Sequence, residues 1–266
     1  MRRALRGTAR RIGMLLALTA GCSVCVGGGG RDPDAELPFP LAEGTSWTYE
    51  VTHLTDLGRR GALVTASWIA GLEVAERLAV PEGLVALLTA RAGGFRILHS
   101  DGADQAELRA LAEDLPRRGE PRGFLARGRA LYSLPAWGWD AGRKSLTPEF
   151  AGLLDRTWPR LVFPLEPGAS WAERALGPGA AGSDRSSWVV KGREVLHLKA
   201  LGEVETSVVE CVSPGGVARV HFAEGIGIVC EEFAGCCSRS GERRELVAFS
   251  CPVPPGSTGD ERHAWR

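Results

Sequence analysis

Hydrophobic and polar positions alternate over much of the chain, and this alternation predicts β-strands. In the run WTYEV, Trp47, Tyr49 and Val51 are apolar and polar side chains lie between them. A period of two predicts a strand with one buried face. Comparable runs are ALVTASWIAGLEV, LVALLTA and FRILHSDG in the first half of the chain and SSWVVKGREVLHLKA, EVETSVVECVS, VARVHFAEGIGIVCEEF and RRELVAFSCP in the second. Gly-containing turns separate these runs, which predicts antiparallel meanders.

The middle of the chain has a different pattern. The run DGADQAELRALAEDL has apolar residues at helical spacing, with Asp101 or Asp104 as the candidate N-cap. The run RGFLARGRALYSLP predicts a short hairpin. Thr147 followed by Pro148 predicts the start of a second short helix, because Pro is favoured at the first helical position.

Together these patterns predict a mainly β fold. We expect an antiparallel curved sheet, or half-barrel, with a few short helices inserted between two β halves. The globular domain is expected to span residues 37–252, with its halves at about 37–100 and 162–252 and a helix and loop insert at 101–161. Residues 253–266, rich in Pro, Gly and charge, are predicted to be a disordered tail.

One nine-residue segment occurs twice. FPLAEGTSW covers residues 39–47 and FPLEPGASW covers residues 163–171, with six identical positions. Pro after Phe favours extended backbone, and the Gly permits a turn before the next strand. The strands after the two copies do not align in sequence, so we predict a shared structural device that opens each meander. Internal duplication is the alternative explanation.

The N-terminus has the pattern of an export signal. Residues 1–21 contain five Arg and no acidic residue, and the apolar run Met14 to Ala20 follows the Arg residues. That run is far below the ~20 residues that a membrane-spanning helix needs. No later apolar stretch reaches that length, so no transmembrane helix is expected.

The end of this segment, LTAGC, resembles the signal of bacterial lipoproteins. Its last three residues match, whereas Thr19 stands where Leu is usual. The resemblance implies cleavage before Cys22, acylation of Cys22 and, because Ser23 follows instead of Asp, sorting to the outer membrane. Residues 22–36, with four consecutive Gly, would then be a flexible tether. The alternative is an ordinary secretory signal, with Cys22 a plain thiol.

Composition and charge narrow the classes of partner. Of the 266 residues, 44% are hydrophobic, which is enough to build a core. The formal net charge is zero, but the chain after residue 21 has 27 basic and 32 acidic residues and a net charge of −5. An acidic chain argues against a nucleic-acid partner, which would need a basic face.

Four segments resemble an uncharacterised group of β-rich bacterial cell-envelope lipoproteins. They are FPLAEGTSWTYEV, FPLEPGASW, GREVLHL and VHFAEGIGIVCEE. The resemblance implies a β-rich domain and residence in the envelope, and it implies no defined activity. A looser similarity is to the envelope half-barrels that carry lipids or lipoproteins, and it rests on the expected fold alone.

The cysteines crowd towards the C-terminus. Five lie in the last 56 residues, namely Cys211, Cys230, Cys236, Cys237 and Cys251. In an oxidising envelope such a cluster predicts disulfides, and we expect at least one bridge from Cys236 or Cys237 to one of the other three. A metal site using Cys236, Cys237, His197 or His221 is the alternative, but adjacent Cys-Cys is a poor chelating arrangement, so no metal is predicted.

Two Trp residues suggest a second kind of site. Trp137 and Trp139 lie in the Gly- and Pro-containing loop LPAWGWD, where they could line a groove for an apolar or sugar ligand. The alternative is a loop that folds over the sheet and buries both rings. In Glu231-Glu232, the alternation of a strand sends one carboxylate to each face, so the two do not form an acid–base pair.

No local catalytic pattern is present. The sequence lacks a Gly-x-Ser-x-Gly elbow, a His-Glu-x-x-His helix and a dinucleotide-binding glycine pattern. We therefore predict a protein that is not an enzyme, has no cofactor and is held at the outer membrane by a lipid anchor, facing the periplasm or the cell surface. Its expected role is a non-catalytic binding or structural module with an envelope protein as partner. The alternative is a carrier of an acyl chain or another hydrophobic ligand, and an enzyme with a dispersed site is a third hypothesis.

Overall fold

The structure is a computed structural model that describes residues 39–57, 62–117, 122–154, 159–174, 185–236 and 239–252. The predicted signal, tether and tail lie outside the described residues. Within them lie fourteen strands and two α-helices: β1 (Ser46–Asp56), β2 (Leu63–Val80), β3 (Gly83–Asp101), α1 (Gln105–Asp114), β4 (Gly123–Arg127), β5 (Ala130–Leu134), β6 (Trp139–Asp140), β7 (Ser145–Leu146), α2 (Pro148–Leu153), β8 (Leu161–Val162), β9 (Ser170–Arg174), β10 (Arg185–Leu198), β11 (Gly202–Ser213), β12 (Gly216–Ala223), β13 (Gly227–Gly235) and β14 (Gly241–Ser250).

Twelve of these strands form one antiparallel sheet. Their order is β8-β5-β4-β3-β2-β1-β14-β13-β12-β11-β10-β9, and β6 and β7 form a separate two-stranded sheet. The two meanders meet where the first strand pairs with the last, from Ser46 opposite Ser250 to Leu54 opposite Gly241. The predicted mainly β class, with an antiparallel curved sheet, is confirmed. Because β8 and β9 are its end strands, the described sheet does not close into a barrel.

The core lies on the concave face of this sheet. The apolar residues of the first alternating run, Trp47, Tyr49 and Val51, are all completely buried there. The curvature brings distant strands together, because Phe163, just after β8, lies 5.7 Å from Phe222 on β12 between ring centroids. The segment that opens the second meander therefore packs its Phe into the concave face of that meander.

A smaller apolar cluster lies on the convex face of the first meander. Leu125 and Leu134 point away from the main core and pack with Trp139 and Phe150, which come from the segment that holds β6, β7 and α2. Both predicted helices form, with Asp104 as the N-cap of α1 and Thr147 as that of α2. The middle segment also adds β4, β5 and β8 to the main sheet, so it is more than a helix and loop insert.

The structure joins two predicted strands into one. LVALLTA and FRILHSDG, which the sequence separates by Gly93 and Gly94, are both parts of β3. The register of β3 against β2 shifts at this point, and Gly94 has φ of 64°. The two glycines therefore form a bulge inside a continuous strand, not a turn between two strands.

The two FPL-G-SW segments have the same local structure. Gly44 N–H donates to Val74 O at 2.8 Å, and Val74 N–H donates to Thr45 O at 2.9 Å. The corresponding bonds of the second copy, with the same two lengths, join Gly168, Val190 and Ala169. Each segment therefore forms a turn whose backbone is hydrogen-bonded to the second strand of its meander, β2 in the first and β10 in the second.

The equivalence continues beyond the turns. The strand register shifts directly after Val74 in β2 and directly after Val190 in β10. Phe39 lies 5.5 Å from Phe124 on β4, as Phe163 lies 5.7 Å from Phe222 on β12. The match covers the opening segment and four strands of each meander, β1–β4 and β9–β12, which favours internal duplication over the shared device that the sequence predicts.

Replacing either turn glycine by alanine should destabilise the protein. Gly44 and Gly168 have φ of 82° and 86°, a region that costs an L-residue about 1–2 kcal/mol. A Cβ at Gly168 meets no atom within 4 Å, so its expected loss comes from the backbone alone. Gly152→Ala is the control, since that position in α2 also has open space and no positive φ. Urea unfolding that shows equal stability for Gly168→Ala and the control would contradict this prediction.

Candidate functional site

Five ionisable side chains are buried in the concave face, which is unusual for an apolar core. They are His53, Arg160, Glu231, Glu242 and Arg244, each at most 9% exposed. We refer to them as the buried ion network. Because buried charge is costly unless it is paired, this network is the candidate functional site.

The strand periodicity places these residues. His53 follows Val51 in the inward phase of β1, and Glu242 and Arg244 occupy the inward phase of β14 ahead of Leu246. The register then sets His53 opposite Glu242 and Val51 opposite Arg244. On the other side of β14, Arg244 lies opposite Glu231 of β13.

The network is built on Glu242 at one end. His53 Nδ1 donates to Glu242 Oε2 at 3.0 Å, and Arg244 Nε donates to Glu242 Oε1 at 2.8 Å. Burial by itself raises the pKa of the Glu242 carboxyl, but its bonds to His53 and Arg244 outweigh burial and hold the pKa below its usual value. The ionised carboxylate therefore stabilises the folded chain at neutral pH, and this contribution is lost as the pH falls below about 4.3.

Arg160 forms the other end and connects the two meanders. It lies just before β8, and its Nη2 is 3.4 Å from Glu231 Oε1 on β13. Its guanidinium carbon also lies 5.5 Å from the centroid of the Trp188 ring on β10. Arg160 thus fixes one end of the sheet to the concave face of the opposite meander.

The arrangement suits a structural lock better than proton transfer. Two Arg and two Glu balance each other, and His53 adds no charge when it is neutral. Each carboxylate already pairs with a cation, Glu242 with Arg244 and Glu231 with Arg160, as expected of buried charges that stabilise a core. The prediction for Glu231-Glu232 is confirmed, because Glu231 points into this network and Glu232 pairs with Arg243 on the convex face.

The predicted disulfides are not found. In the described part of the chain, where Cys211, Cys230, Cys236 and Cys251 lie, no disulfide is present, so the prediction of a bridge from Cys236 is wrong. Cys211 lies opposite Trp188 on the core side, whereas Cys230 lies opposite His221, whose side chain points to the convex face. Cys236 and Cys251 stand at opposite ends of β14. Cys237, the other proposed bridging residue, and Cys22, the proposed acylation site, lie outside the described residues.

The two loop Trp residues are split by the fold. Trp139 is buried in the smaller apolar cluster, whereas Trp137 is 53% exposed and packs its edge against Phe150. A ligand groove at these two residues stays a prediction. Among the described residues no three His, Cys, Asp or Glu side chains are grouped so that they could hold a metal ion.

Comparisons with known proteins leave the family open. No family model matches the chain, and no curated protein matches it. Two solved structures are similar to it, a protein inferred to be exported, with a YmcC-like fold, from Bacteroides fragilis and an inferred lipoprotein from Parabacteroides distasonis. Both are 14% identical and cover 80% of this chain and 98% of their own, with TM-scores of 0.35 and 0.31. Superpositions this weak do not establish a shared fold or role.

Sequence reasoning missed the buried ion network. A usable signal was present, because Glu242 and Arg244 stand in the alternating phase that ends in Leu246 and so occupy core positions. Arg160 gave no such signal, since it precedes a strand of only two residues.

The described helices include none that is long and apolar enough to span a bilayer.

Proposed function

We propose that this chain is a lipid-anchored protein of the cell envelope that acts as a non-catalytic binding or structural module. The N-terminal export signal with Cys22 supports the location. The filled concave face supports the role. Its large side chains Trp47, Tyr49 and Phe124 are 0% exposed, so they border neither solvent nor a void that could hold a water molecule.

That observation weighs against the carrier alternative. A protein that holds an acyl chain needs an apolar cavity, and pockets for small ligands are typically lined by side chains that remain accessible. Here the equivalent surface is occupied by the chain's own residues, including Phe39 and Phe163 of the two repeated segments. Each repeated segment inserts its Phe into the concave face of its own meander.

The anchor is tested by metabolic labelling with an alkyne analogue of palmitate. Wild-type protein should incorporate the label and fractionate with membranes, because several acyl chains, at about 0.8 kcal/mol per buried CH₂, give nearly permanent attachment. Cys22→Ser should abolish both results, and Cys25→Ser, which changes a thiol three residues away, is the matched control. Unlabelled wild-type protein in the cytosol would contradict the proposal.

The module role is tested on the same preparation. Native mass spectrometry of the detergent-free protein with Cys22→Ser should give the mass of the polypeptide alone. Copurification of one lipid per chain would overturn the proposed role in favour of a carrier, and it would leave the proposed location intact.

A further inference from the structure

The β10–β11 hairpin extends beyond its neighbours in the sheet. Pairing of β10 with β9 ends at Val189, and pairing of β11 with β12 begins at Ser207. Residues 192–206, which we call the hairpin arm, are therefore a two-stranded ribbon with no further strand pairing in the described structure. An isolated ribbon of this kind is marginally stable in water, so its position depends on what it contacts.

The arm folds onto the convex face of β12–β14. At its tip, Lys199 N–H donates to Glu245 Oε1 on β14 at 3.1 Å, and Lys199 Nζ donates to Glu50 Oε2 on β1 at 2.7 Å. Nearer its base, Glu194 accepts from Arg219 Nη2 at 2.6 Å. Leu198 of the arm is 1% exposed and packs with the main core, so this docking also buries apolar surface.

A hinge lies at the base of the arm. The β10–β11 register shifts between Val190 and Gly192, and Gly192 has φ of 147°. A Cβ at Gly192 would meet no atom within 4 Å, so the backbone there is not confined by neighbouring side chains. A bulge with glycine gives the ribbon a place to bend away from the sheet.

A buried histidine lies under the arm. His221 Nδ1 is 3.0 Å from Glu194 Oε1, and the charged groups facing it are Glu194 of the arm, Arg219 of its own strand, Glu232 of β13 and Arg243 of β14. Burial lowers the pKa of His221 despite the nearby carboxylates. A hydrated histidine has a pKa near 6.5, so protonation below about pH 6.5 favours a state in which the arm has lifted.

Protonation of Glu245 would weaken the contact at the tip of the arm. Burial raises the pKa of the Glu245 carboxyl, but the Lys199 N–H and the Arg243 guanidinium outweigh burial and hold it below the usual value. The ionised form therefore favours the docked arm, and this contribution is lost only as the pH falls below about 4.3, so within the mild-acid range the response comes from His221. Cys230 lies between these two contacts, opposite His221 on one side and Glu245 on the other, and is completely buried.

We propose that the hairpin arm is a hinged clasp that lifts from the convex face on mild acidification and uncovers the surface around Cys230. This clasp is independent of the proposed envelope function. The docked arm ties β10 to β14 and β1, so it braces the junction of the two meanders. Lifting it would loosen that junction and expose Leu198, which packs with the main core.

The clasp is tested by thiol labelling with 4,4′-dithiodipyridine, which remains reactive in mild acid, followed by peptide-resolved mass spectrometry of the full chain. The labelling rate of Cys230 relative to Cys211 should rise from about pH 7.5 to about pH 5.5, by at most about tenfold for one titrating histidine. Cys211 is the internal control, because it is buried on the core side and should react only on global unfolding.

Two variants separate the clasp from general loosening. His221→Asn should remove most of the pH dependence of the Cys230 rate, and Lys199→Met should raise that rate roughly two- to fivefold at neutral pH by breaking one exposed ion pair. In both variants, the backbone amides of the arm should exchange with solvent deuterium faster than those of β12. Parallel labelling of Cys230 and Cys211 at both pH values, or an unchanged pH dependence in His221→Asn, would overturn the proposal.

Discussion

Replacing Arg244 by methionine should destabilise the protein by about 3–5 kcal/mol, the cost of breaking a buried ion pair by removing one partner. Arg244 is 3% exposed and donates to Glu242 at 2.8 Å, with Glu231 opposite it on the next strand. Methionine fills similar volume but leaves the Glu242 carboxylate with only His53 as a partner. Urea unfolding monitored by Trp fluorescence measures the loss.

Arg243→Met is the matched control for this prediction. Arg243 is the preceding residue on the same strand, points to the convex face and is half exposed, where it pairs with Glu232 and Glu245. The pair with Glu232 is a surface pair that contributes only roughly 0.2–1 kcal/mol. Glu245 is buried, but it keeps the Lys199 N–H as a partner, so Arg243→Met should cost clearly less than Arg244→Met. Adding Glu242→Gln to Arg244→Met should restore part of the lost stability. Equal losses for Arg243→Met and Arg244→Met would show that the buried ion network is not a stabilising feature of the core.

Replacing Trp47 by alanine should cost about 3–5 kcal/mol, as expected for a fully buried aromatic residue. Its ring stacks on Phe39 at 4.9 Å between centroids, and its Nε1 donates to Ile226 O at 2.7 Å. The substitution would leave a cavity and an unsatisfied carbonyl group. Trp47→Phe should lose less, because it removes the hydrogen bond and keeps most of the packing.

The second copy of the segment provides the comparison. Trp171 is the equivalent residue, and its Nε1 donates to Pro159 O at 3.0 Å, but it lies on the end strand β9 and is only half buried. Trp171→Ala should therefore cost roughly half as much as Trp47→Ala. Urea unfolding of both variants measures the two losses in unfolding free energy. A larger loss at Trp171 would mean that the sheet depends more on its ends than on the junction between β1 and β14.

The repeated segment shows how far sequence reasoning reached. The sequence predicted a turn at Gly44 and Gly168 and a strand after each, and both predictions are confirmed. It did not predict that the following strands are equivalent, because side chains in β2 and β10 differ while backbone bonds and register match. The two strands are equivalent in their backbone hydrogen bonds and register, and a comparison of amino-acid sequences does not detect these features.

The candidate site was only partly predictable. Glu242 and Arg244 occupy core positions that the alternation of β14 reveals. Their pairing with His53 depends on β1 lying beside β14, a contact between residues almost two hundred positions apart. The cysteine pattern was misleading for the same reason. Cys211 and Cys230 are near each other in sequence, but the sheet places their side chains on different faces.

The amino-acid sequence by itself determined the mainly β class, most of the strands and the Thr147 cap of α2, because these depend on neighbouring residues and on the period of two along a strand. Only the tertiary structure decided that the first and last strands pair, that Arg160 reaches across the concave face and that the β10–β11 arm folds onto the convex one. These features depend on sheet curvature and register, which bring together charges that no local pattern connects.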